Sequence, residues 1–434
     1  MILLRNFTNI FKIPELVKKI LFTLGVLIIY RIGCYIPSIG INVSVLADFM
    51  SQSKVFGGIL RFFDTFSGGA LDKCTIFSLG IQPYITSSIL MQLLSATVPY
   101  LERLSKEGDY GRKIINQYTR YLSLAISFMF ALGFAVTLNT ANSTTFPGLL
   151  NWSGLGFIFL FVISLMVGSA FVMWLGEQIS LFGIGNGSSM IIFAGIISRF
   201  PSLIAQLIQI SRAHPIKVLI VLLVFLILVA SVVFMEKGDR KIPVQYARRI
   251  IGQKVYGGQS TYIPIKVNSS GVMPVIFSSA LLNIPGYIIS LLGIKWLSDA
   301  MQTGSFLYSA IEFGLIIFFA YFYTYYAFNP TELADNIKKS GGFIPGIRPG
   351  KQTSDYFEYI LNRIVLVGAI YLGLLAILPS VIGNLLGVYF INGTSLLIMV
   401  SVALDTAAQI ESYLIEHNYK GFLTDGTMRN RVGR

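Results

Sequence analysis

The sequence carries little charge for its length. Only 12% of its 434 residues are Asp, Glu, Lys or Arg, about half the charged fraction of a typical soluble domain. The hydrophobic fraction is 54% and the mean hydropathy is +0.71, so the polar residues are too few to cover the surface of a water-soluble globule. We therefore expect a polytopic membrane protein.

Cysteine and histidine are also scarce. The two cysteines, Cys34 and Cys74, and the two histidines, His214 and His417, are too few for a zinc cage or a disulfide framework. The sequence also lacks a glycine-rich phosphate loop ending in GK[ST], a GxSxG elbow and an HExxH pair. We therefore expect no metal, no cofactor and no enzymatic activity.

Charged residues are rare inside the apolar segments as well. Transporters that couple ions to solutes place Asp, Glu, Lys or His near the bilayer centre. Here Glu177, Glu236 and Glu312 fall near segment ends, and Asp405 is the one deep candidate, which we interpret as a hydrogen-bonded helix residue near the cytosolic end. A solute transporter is therefore the weaker alternative, and a non-conducting assembly scaffold is a second one.

Apolar runs long enough to cross a bilayer recur along the chain. A span needs roughly 20 helical residues to cross a hydrocarbon core of about 30 Å. The N-terminus lacks the pattern of a removable signal peptide, so we expect the first span to be its own insertion signal. We predict ten spans, at residues 20–36, 74–97, 119–138, 155–175, 187–209, 217–235, 271–293, 307–328, 361–380 and 391–413.

Basic residues are distributed unequally between the two sides of these spans. Most of the 33 Lys and Arg residues lie before span one, after span ten and in the loops on that same side, whereas 139–154 and 381–390 carry no charge. Excess Lys and Arg mark the cytosolic side. We predict cytosolic termini (1–19 and 414–434), an N-terminal half (20–209), a C-terminal half (217–413) and two large cytosolic loops (236–270 and 329–360). An odd number of spans per half would make the halves inverted repeats.

The segment 55–74 is apolar over only about a dozen residues and is interrupted by Arg61 and Asp64, so it is too short to cross. One interpretation is a half-helix that enters the membrane and returns, which requires protein or a water-filled cavity around its backbone. The other is an amphipathic helix lying on the outer interface. Composition alone leaves both open.

Span two contains Pro83, which we expect to kink its helix. Ile81 and Ile85 are four residues apart and share one helical face. Aliphatic pairs at this spacing usually face lipid or the core, so the spacing alone assigns them no function.

The two long cytosolic loops are basic and rich in turn residues. In the second loop, the segment PGIRPG (345–350) flanks Arg348 with prolines and glycines, which predicts that Arg348 is presented on a stiff turn. A presented arginine suits phosphate, carboxylate or RNA contacts. The alternative is a charge that serves membrane topology alone.

Eight stretches of the chain, in order, resemble bacterial SecY, the channel subunit of the general secretory (Sec) protein translocase. They are FSGGAL (66–71), IFSLGIQPYITSSILMQLL (76–94), KEGDYGRKIINQYTRY (106–121), MWLGEQISLFGIGNGSSMIIFAGI (173–196), YGGQSTYIPIKVN (256–268), GVMPVIF (271–277), FNPTELADNIKKSGGFIPGIRPG (328–350) and GTSLLIMVSVALD (393–405).

The resemblance implies an all-α fold, in which ten transmembrane helices form two inverted five-helix halves. These close as a clamshell around a central pore. It also implies a passive channel that translocates unfolded preproteins and releases transmembrane segments sideways into lipid. A pore ring of aliphatic side chains would comprise Ile81, Ile85, Ser188, Ile192, Ile276 and Ile398, where Ser188 departs from the aliphatic pattern. A narrow apolar collar dewets and blocks ions.

The same resemblance implies a plug at about 60–72, which favours the re-entrant interpretation of that segment. The plug residues would be Phe62, Phe63, Phe66, Ser67, Gly68 and Gly69. Spans two and three would meet spans seven and eight at a lateral gate lined by Gln92 and Asn268.

The cytosolic loops resemble the family's docking surface for the ribosome and the motor ATPase SecA. The docking residues would be Arg348, Lys254 and Lys351, while Gln253 departs from the family's basic pair. Further implied partners are the small subunits SecE and SecG, preprotein and signal-peptide substrates, accessory SecD/SecF and YidC, and phospholipid. The implied location is the bacterial inner membrane.

Overall fold

The structure, a computed structural model, describes residues 13–42, 45–46, 64, 66–144, 147–246, 249–251, 254–256, 260–292, 305–386 and 392–425. The chain divides into two compact units. The first unit lies within Met1–Pro201 and Val402–Arg434, and the second lies within Ser202–Ser401.

Helices dominate both units. In chain order they are α1 (Pro14–Gly33), α2 (Gln82–Thr97), α3 (Pro99–Lys106), α4 (Asp109–Thr144), α5 (Leu155–Phe182), α6 (Gly187–Ser198), α7 (Phe200–Ala213), α8 (Pro215–Lys237), α9 (Met273–Leu292), α10 (Phe306–Ala327), α11 (Pro330–Lys339), α12 (Lys351–Leu386) and α13 (Gly393–Asp425).

Each of the ten predicted spans overlaps a helix in the described residues. By length and composition, seven helical segments of this described part suffice to cross a membrane: α4, α5, the α6–α7 pair, α8, α10 with α11, α12 and α13. The other three predicted spans correspond to α1, α2 and α9. Of these, α2 has only 16 residues, and α1 carries Lys18, Lys19 and Arg31 along its length.

The start of α2 corrects the expectation about Pro83. We expected Pro83 to kink a helix running from residue 74, but α2 begins at Gln82 and Pro83 stands in its first turn. Proline fits there because the first helical N–H groups have no partner within the helix. The preceding residues 74–81 are turns instead of helix.

The core of the first unit lies between α4 and α5. Phe161 of α5 is fully buried, with ring centroids 5.7 Å from Phe134 of α4 and 5.2 Å from Phe157. Nearer one end of these helices, Arg120 Nε donates to Glu177 Oε1 at 2.7 Å. Aromatic packing and an ion pair therefore fix α4 against α5.

The second unit contains a small antiparallel sheet that we had not predicted. Its strands are β1 (Asp239–Tyr246), β4 (Ser260–Lys266) and β5 (Gly342–Phe343), in the order β4-β1-β5. A separate hairpin pairs β2 (Arg249–Ile251) with β3 (Lys254–Tyr256). Both large loops contribute strands, because β5 comes from the second loop and pairs with β1 from the first.

The sheet rests on its own apolar core. Ile242 and Val244 alternate with exposed neighbours along β1, and Ile265 of β4 joins them, as expected for a sheet with one buried face. Phe357 and Leu361, near the start of α12, complete this cluster. Because α12 continues for 36 residues, it connects the sheet directly to the apolar helices of the second unit.

Candidate functional site

Four of the six predicted ring residues lie in the first unit. Ile81, Ile85 and Ile192 are buried at 2%, 9% and 3% exposure, and Ser188 is half-buried one turn before Ile192 on α6. Ile81 packs within the unit, since its Cδ1 would lie 3.2 Å from a Cβ placed on Gly176 of α5. The two residues of the second unit differ in exposure, because Ile276 on α9 is half-buried and Ile398 on α13 is 1% exposed.

Ser188 has a local structural reason for being polar. Asn186 is the N-cap of α6, and its Oδ1 accepts hydrogen bonds from the Ser188 N–H at 3.1 Å and from the Ser188 hydroxyl at 2.7 Å. N-terminal helix N–H groups need such partners. The Ser188 hydroxyl, at a predicted ring position, is therefore engaged in the first turn of α6.

The turn before α6 sets the direction of that helix. The Ile184 N–H donates to Thr23 Oγ1 of α1 at 3.1 Å, and the Gly185 N–H donates to Gln409 Oε1 of α13 at 2.8 Å. Gly185 has φ +84°, a conformation that favours glycine. A Cβ at Gly187 would collide with the carbonyl oxygen of Gly176, so α5 and α6 meet backbone to backbone.

The predicted plug is described from Phe66 onwards and at Asp64, while Phe62 and Phe63 lie outside the described residues. Phe66 and Ser67 are 3% and 2% exposed. Gly68 and Gly69 both have positive φ, at +69° and +85°, so a side chain at either position would strain the backbone.

Helix α6 packs directly against this segment. A Cβ on Gly195 would lie 2.5 Å from the Phe66 carbonyl oxygen, and a Cβ on Gly68 would lie 2.9 Å from the Gly195 Cα. Ser198, one turn further along α6, donates to the Gly68 carbonyl at 3.3 Å. The absence of side chains at Gly68 and Gly195 therefore permits this close approach.

Helix α1 holds the other side of the segment. The Tyr30 hydroxyl donates to the Ser67 carbonyl at 3.3 Å, and the Cys34 thiol contacts the same oxygen at 3.8 Å. Arg31 Nη1 donates to the Gly68 carbonyl at 2.8 Å. These three residues were not predicted, although an arginine inside an apolar span was a signal that could have indicated a specific partner.

Two carboxylates complete the contacts of the predicted plug segment. Asp64 is fully buried, and its Oδ1 accepts hydrogen bonds from the N–H groups of Leu71 and Asp72, both at 3.0 Å. Arg199, at the end of α6, forms ion pairs with Asp64 and with Asp72. From the sequence, Asp64 was only an interruption of the apolar segment, and Arg199 was not predicted.

The predicted gate residues lie in different units. Asn268 follows β4 and is 6% exposed, and its Nδ2 donates to Glu236 Oε2 at 2.9 Å. Among the described residues, Asn268 Oδ1 and Gln92 Oε1 are buried without a hydrogen-bond partner. Asn268 is thus fixed to the end of α8, and both residues retain an unsatisfied acceptor.

Arg348, the predicted docking residue, is exposed on a short turn, as the Pro and Gly pattern predicted. The Ile347 N–H donates to the Ile344 carbonyl at 3.1 Å, and Thr353 Oγ1 donates to the Arg348 carbonyl at 2.9 Å. Ile347 packs against the core of the sheet. The guanidinium is therefore presented from a fixed backbone.

The other two docking candidates lie on two other elements. Lys351 is the exposed first residue of α12, and Lys254 lies on β3. Gln253 lies outside the described residues. On α3, the Lys106 ammonium holds the pKa of Glu102 below its usual value. Within the described ranges, no group of three or more His, Cys, Asp or Glu could hold a metal ion.

Comparisons with known proteins agree on one family. The SecY family model matches residues 75–407. A protein translocase subunit SecY from Streptomyces scabiei is 45% identical over 436 residues, covering 97% of this chain and 100% of the relative. A protein translocase subunit SecY from Escherichia coli (strain K12) is 43% identical over 426 residues, covering 96% of this chain and 95% of the relative.

Solved structures share the fold at lower identity. One, described as "The structure of a protein conducting channel", has a TM-score of 0.63 at 20% identity and covers 91% of this chain and 92% of its own. A second, Sec61 in the canine ribosome-channel complex from the endoplasmic reticulum, has a TM-score of 0.58 at 18% identity, with the same two coverages. These likenesses establish a shared architecture.

Proposed function

This chain belongs to the SecY family of multi-pass membrane proteins, and we propose that it is a protein-conducting channel for unfolded preproteins. It translocates them across the membrane and releases transmembrane segments sideways into the bilayer. Partner proteins supply the energy, since the sequence has no nucleotide-binding loop of its own.

The observation that carries this proposal is the largely buried, non-helical segment at residues 68–81. Lipid tolerates backbone outside helices and closed barrels only where protein or a water-filled cavity surrounds it. Here α1 and α6 provide hydrogen bonds to the carbonyls of Ser67 and Gly68. A loop seated among spans in this way suits a plug that closes a cavity when no substrate is present.

Above this plug we propose a pore ring formed by the six residues named for it, at Ile81, Ile85, Ser188, Ile192, Ile276 and Ile398. Branched apolar side chains exclude water from a narrow constriction and so block ions. They also form no strong bond to a passing polypeptide, whatever its sequence. A channel for diverse preproteins needs both properties.

A lateral gate between spans two and three and spans seven and eight would let apolar segments leave. A central Leu or Ile favours lipid by roughly 0.3–0.6 kcal/mol, and a charged residue opposes insertion by about 2.5–3.5 kcal/mol. Within the part of the chain that the structure describes, Gln92 and Asn268 retain unsatisfied acceptors. They suit a gate held by weak polar contacts, worth roughly 0.6 kcal/mol each.

The sheet and turn of the second unit form the proposed docking surface, with Arg348, Lys254 and Lys351. We propose the motor ATPase SecA and the ribosome as its partners, with SecE and SecG as small membrane subunits. SecD/SecF, YidC and phospholipid are further proposed partners. The proposed location is the bacterial inner membrane, with both termini in the cytosol, where the basic loops would also lie.

A crosslinking experiment tests the pore. A photoreactive amino acid is placed at Ile85, Ile192 or Ile276 in the full-length protein, and a labelled preprotein is arrested during transport into vesicles. We expect crosslinks from all three positions and none from Leu223, which is 54% exposed on α8 and serves as a lipid-facing control. Arrested preprotein that never reaches the three ring positions would overturn the proposed function.

A further inference from the structure

Arg199 lies at a break between two helices. It is the C-cap of α6, and its N–H donates to the Ile196 carbonyl at 3.2 Å. Helix α7 begins at the next residue, with Pro201 in its first turn. Because proline has no N–H and its ring clashes with the preceding turn, the helix is interrupted here. The break fixes the backbone from which the Arg199 side chain extends.

The side chain of Arg199 bridges the two ends of the loop from Asp64 to Asp72. It pairs with Asp64, which is fully buried, and its Nη2 lies 3.3 Å from Asp72 Oδ2. Asp64 in turn accepts the N–H groups of Leu71 and Asp72. One cation on α6 therefore neutralises the carboxylate around which the loop closes.

The burial of Asp64 makes this contact important. Taking a carboxylate out of water is costly, and the cost is recovered only when a cation and hydrogen bonds satisfy it. Breaking such a pair by removing one partner leaves an uncompensated buried charge. By contrast, Arg31 and Ser198 hold the neutral carbonyl of Gly68, which carries no comparable penalty.

We propose that Arg199 is a positioning residue that latches the plug in its seat through Asp64 and Asp72. This inference rests on the proposed channel function and adds to it the residue that determines how often the resting channel opens. Displacing the loop separates both carboxylates from the guanidinium, so the free energy of that separation favours the seated plug. Removing the cation shifts the equilibrium towards the unseated plug.

The test measures resting ion conductance of the full-length protein in planar bilayers. We expect Arg199→Gln to raise the open fraction roughly tenfold or more, since it leaves the Asp64 carboxylate buried without its cation. Arg212→Gln is the matched control, because it makes the same charge change at an exposed residue on α7. The proposed latch would be overturned if Arg199→Gln showed wild-type conductance, or if conductance rose equally in Arg199→Gln and Arg212→Gln.

A second variant separates the latch from general loss of structure. Asp64→Asn keeps an oxygen acceptor for the two loop N–H groups while removing the buried charge. We therefore expect the double variant Arg199→Gln/Asp64→Asn to leak less than Arg199→Gln alone, which simple damage to the fold would not produce. The proposal is contradicted if the leak of the double variant equals the sum of the leaks of the two single variants, or if it exceeds that of Arg199→Gln. If Arg199→Gln does not fold, Arg199→Lys, with an intermediate leak expected, replaces it in the same comparison.

A ring variant distinguishes failure of the latch from failure of the channel proposal. Ile85→Asn places an amide in the proposed collar and should raise conductance whatever holds the plug. A leak from Ile85→Asn with none from Arg199→Gln rejects the latch alone. If neither variant conducts ions above the wild-type level, both the channel proposal and the latch are rejected.

Discussion

Two non-helical regions of this protein are stabilised in opposite ways. The first, residues 68–81, begins within the proposed plug and is held by its surroundings, because α1 and α6 supply partners for the Gly68 carbonyl and the end of α6 pairs with the Asp64 and Asp72 carboxylates. The sheet of the second unit holds itself together, since β1 pairs with β4 and β5 over a core that includes Ile242 and Val244.

The difference indicates what each region can do. A loop whose polar contacts come from other elements can exchange them and move as a unit, provided the exchange costs only a few bonds. A sheet with its own apolar core keeps its shape when its surroundings change. The first arrangement suits a plug, and the second suits a docking surface that must present Arg348 in a fixed position.

The largest expected effect comes from the core of the sheet. Ile265→Ala removes a side chain that is 1% exposed and should lower the free energy of unfolding by about 2–5 kcal/mol. Thermal unfolding in detergent checks the loss, with Thr261→Ala, at an exposed position of the same strand, as control. If the sheet is independent of the plug, resting conductance stays at the wild-type level, and a strong leak would contradict the comparison.

A smaller effect is expected where α6 meets the plug. Gly195→Ala places a methyl group 2.5 Å from the Phe66 carbonyl oxygen, and such overpacking costs about 1–3 kcal/mol. Because the plug is held from outside, we expect this strain to unseat it and raise resting conductance. Gly156→Ala on α5, with open space around the added methyl, is the control. Equal conductance in the two variants would show that α6 does not seat the plug.

A still smaller effect is expected at Ser188. Ser188→Ile removes the hydroxyl that donates to Asn186, at a cost of about 1 kcal/mol, and completes the aliphatic ring. We expect the resting leak to fall in single-channel recordings. Ser188→Ala loses the same hydrogen bond without adding apolar bulk, so the leak should not fall there. Identical leaks in both variants would place Ser188 outside the collar.

The smallest effect on stability is expected at Arg348. Arg348→Glu changes an exposed side chain and should alter the free energy of unfolding by no more than about 0.5 kcal/mol. Motor- or ribosome-driven transport into vesicles should nevertheless decrease strongly. Lys339→Glu makes the same charge reversal at an exposed position of the same loop. If both variants transport equally well, the charge of Arg348 serves topology instead of docking.

Much of the fold was predictable from the sequence. Apolar runs identified helices at all ten predicted spans, and the relatives confirm the family that the eight motifs indicated. The turn at Arg348 was predictable too, because Pro and Gly restrict the backbone locally. The strands were not predicted, since β5 reaches its partner β1 from a different loop, nearly 100 positions away. Pro83 was misplaced because a proline predicts a kink or a helix start equally well until the helix boundary is known.

The residues that anchor the plug could not be predicted. Arg199 and Asp72 are 127 positions apart, and the hydrogen bonds from α1 to the plug join residues about 37 positions apart. Local spacing rules relate residues within one helix or one hairpin, so they carry no information about such pairs. Arg31 and Asp64 were visible only as charges that interrupted apolar segments.

The sequence by itself determined that this chain enters a membrane as a series of helices, because in lipid every backbone N–H and C=O must find a partner within its own segment. Its basic loops also predicted which side faces the cytosol. Only the tertiary structure decided which glycines allow α6 to approach the plug and which cation meets the buried Asp64. Those contacts depend on shape and on charges brought together from distant positions, and no single segment encodes them.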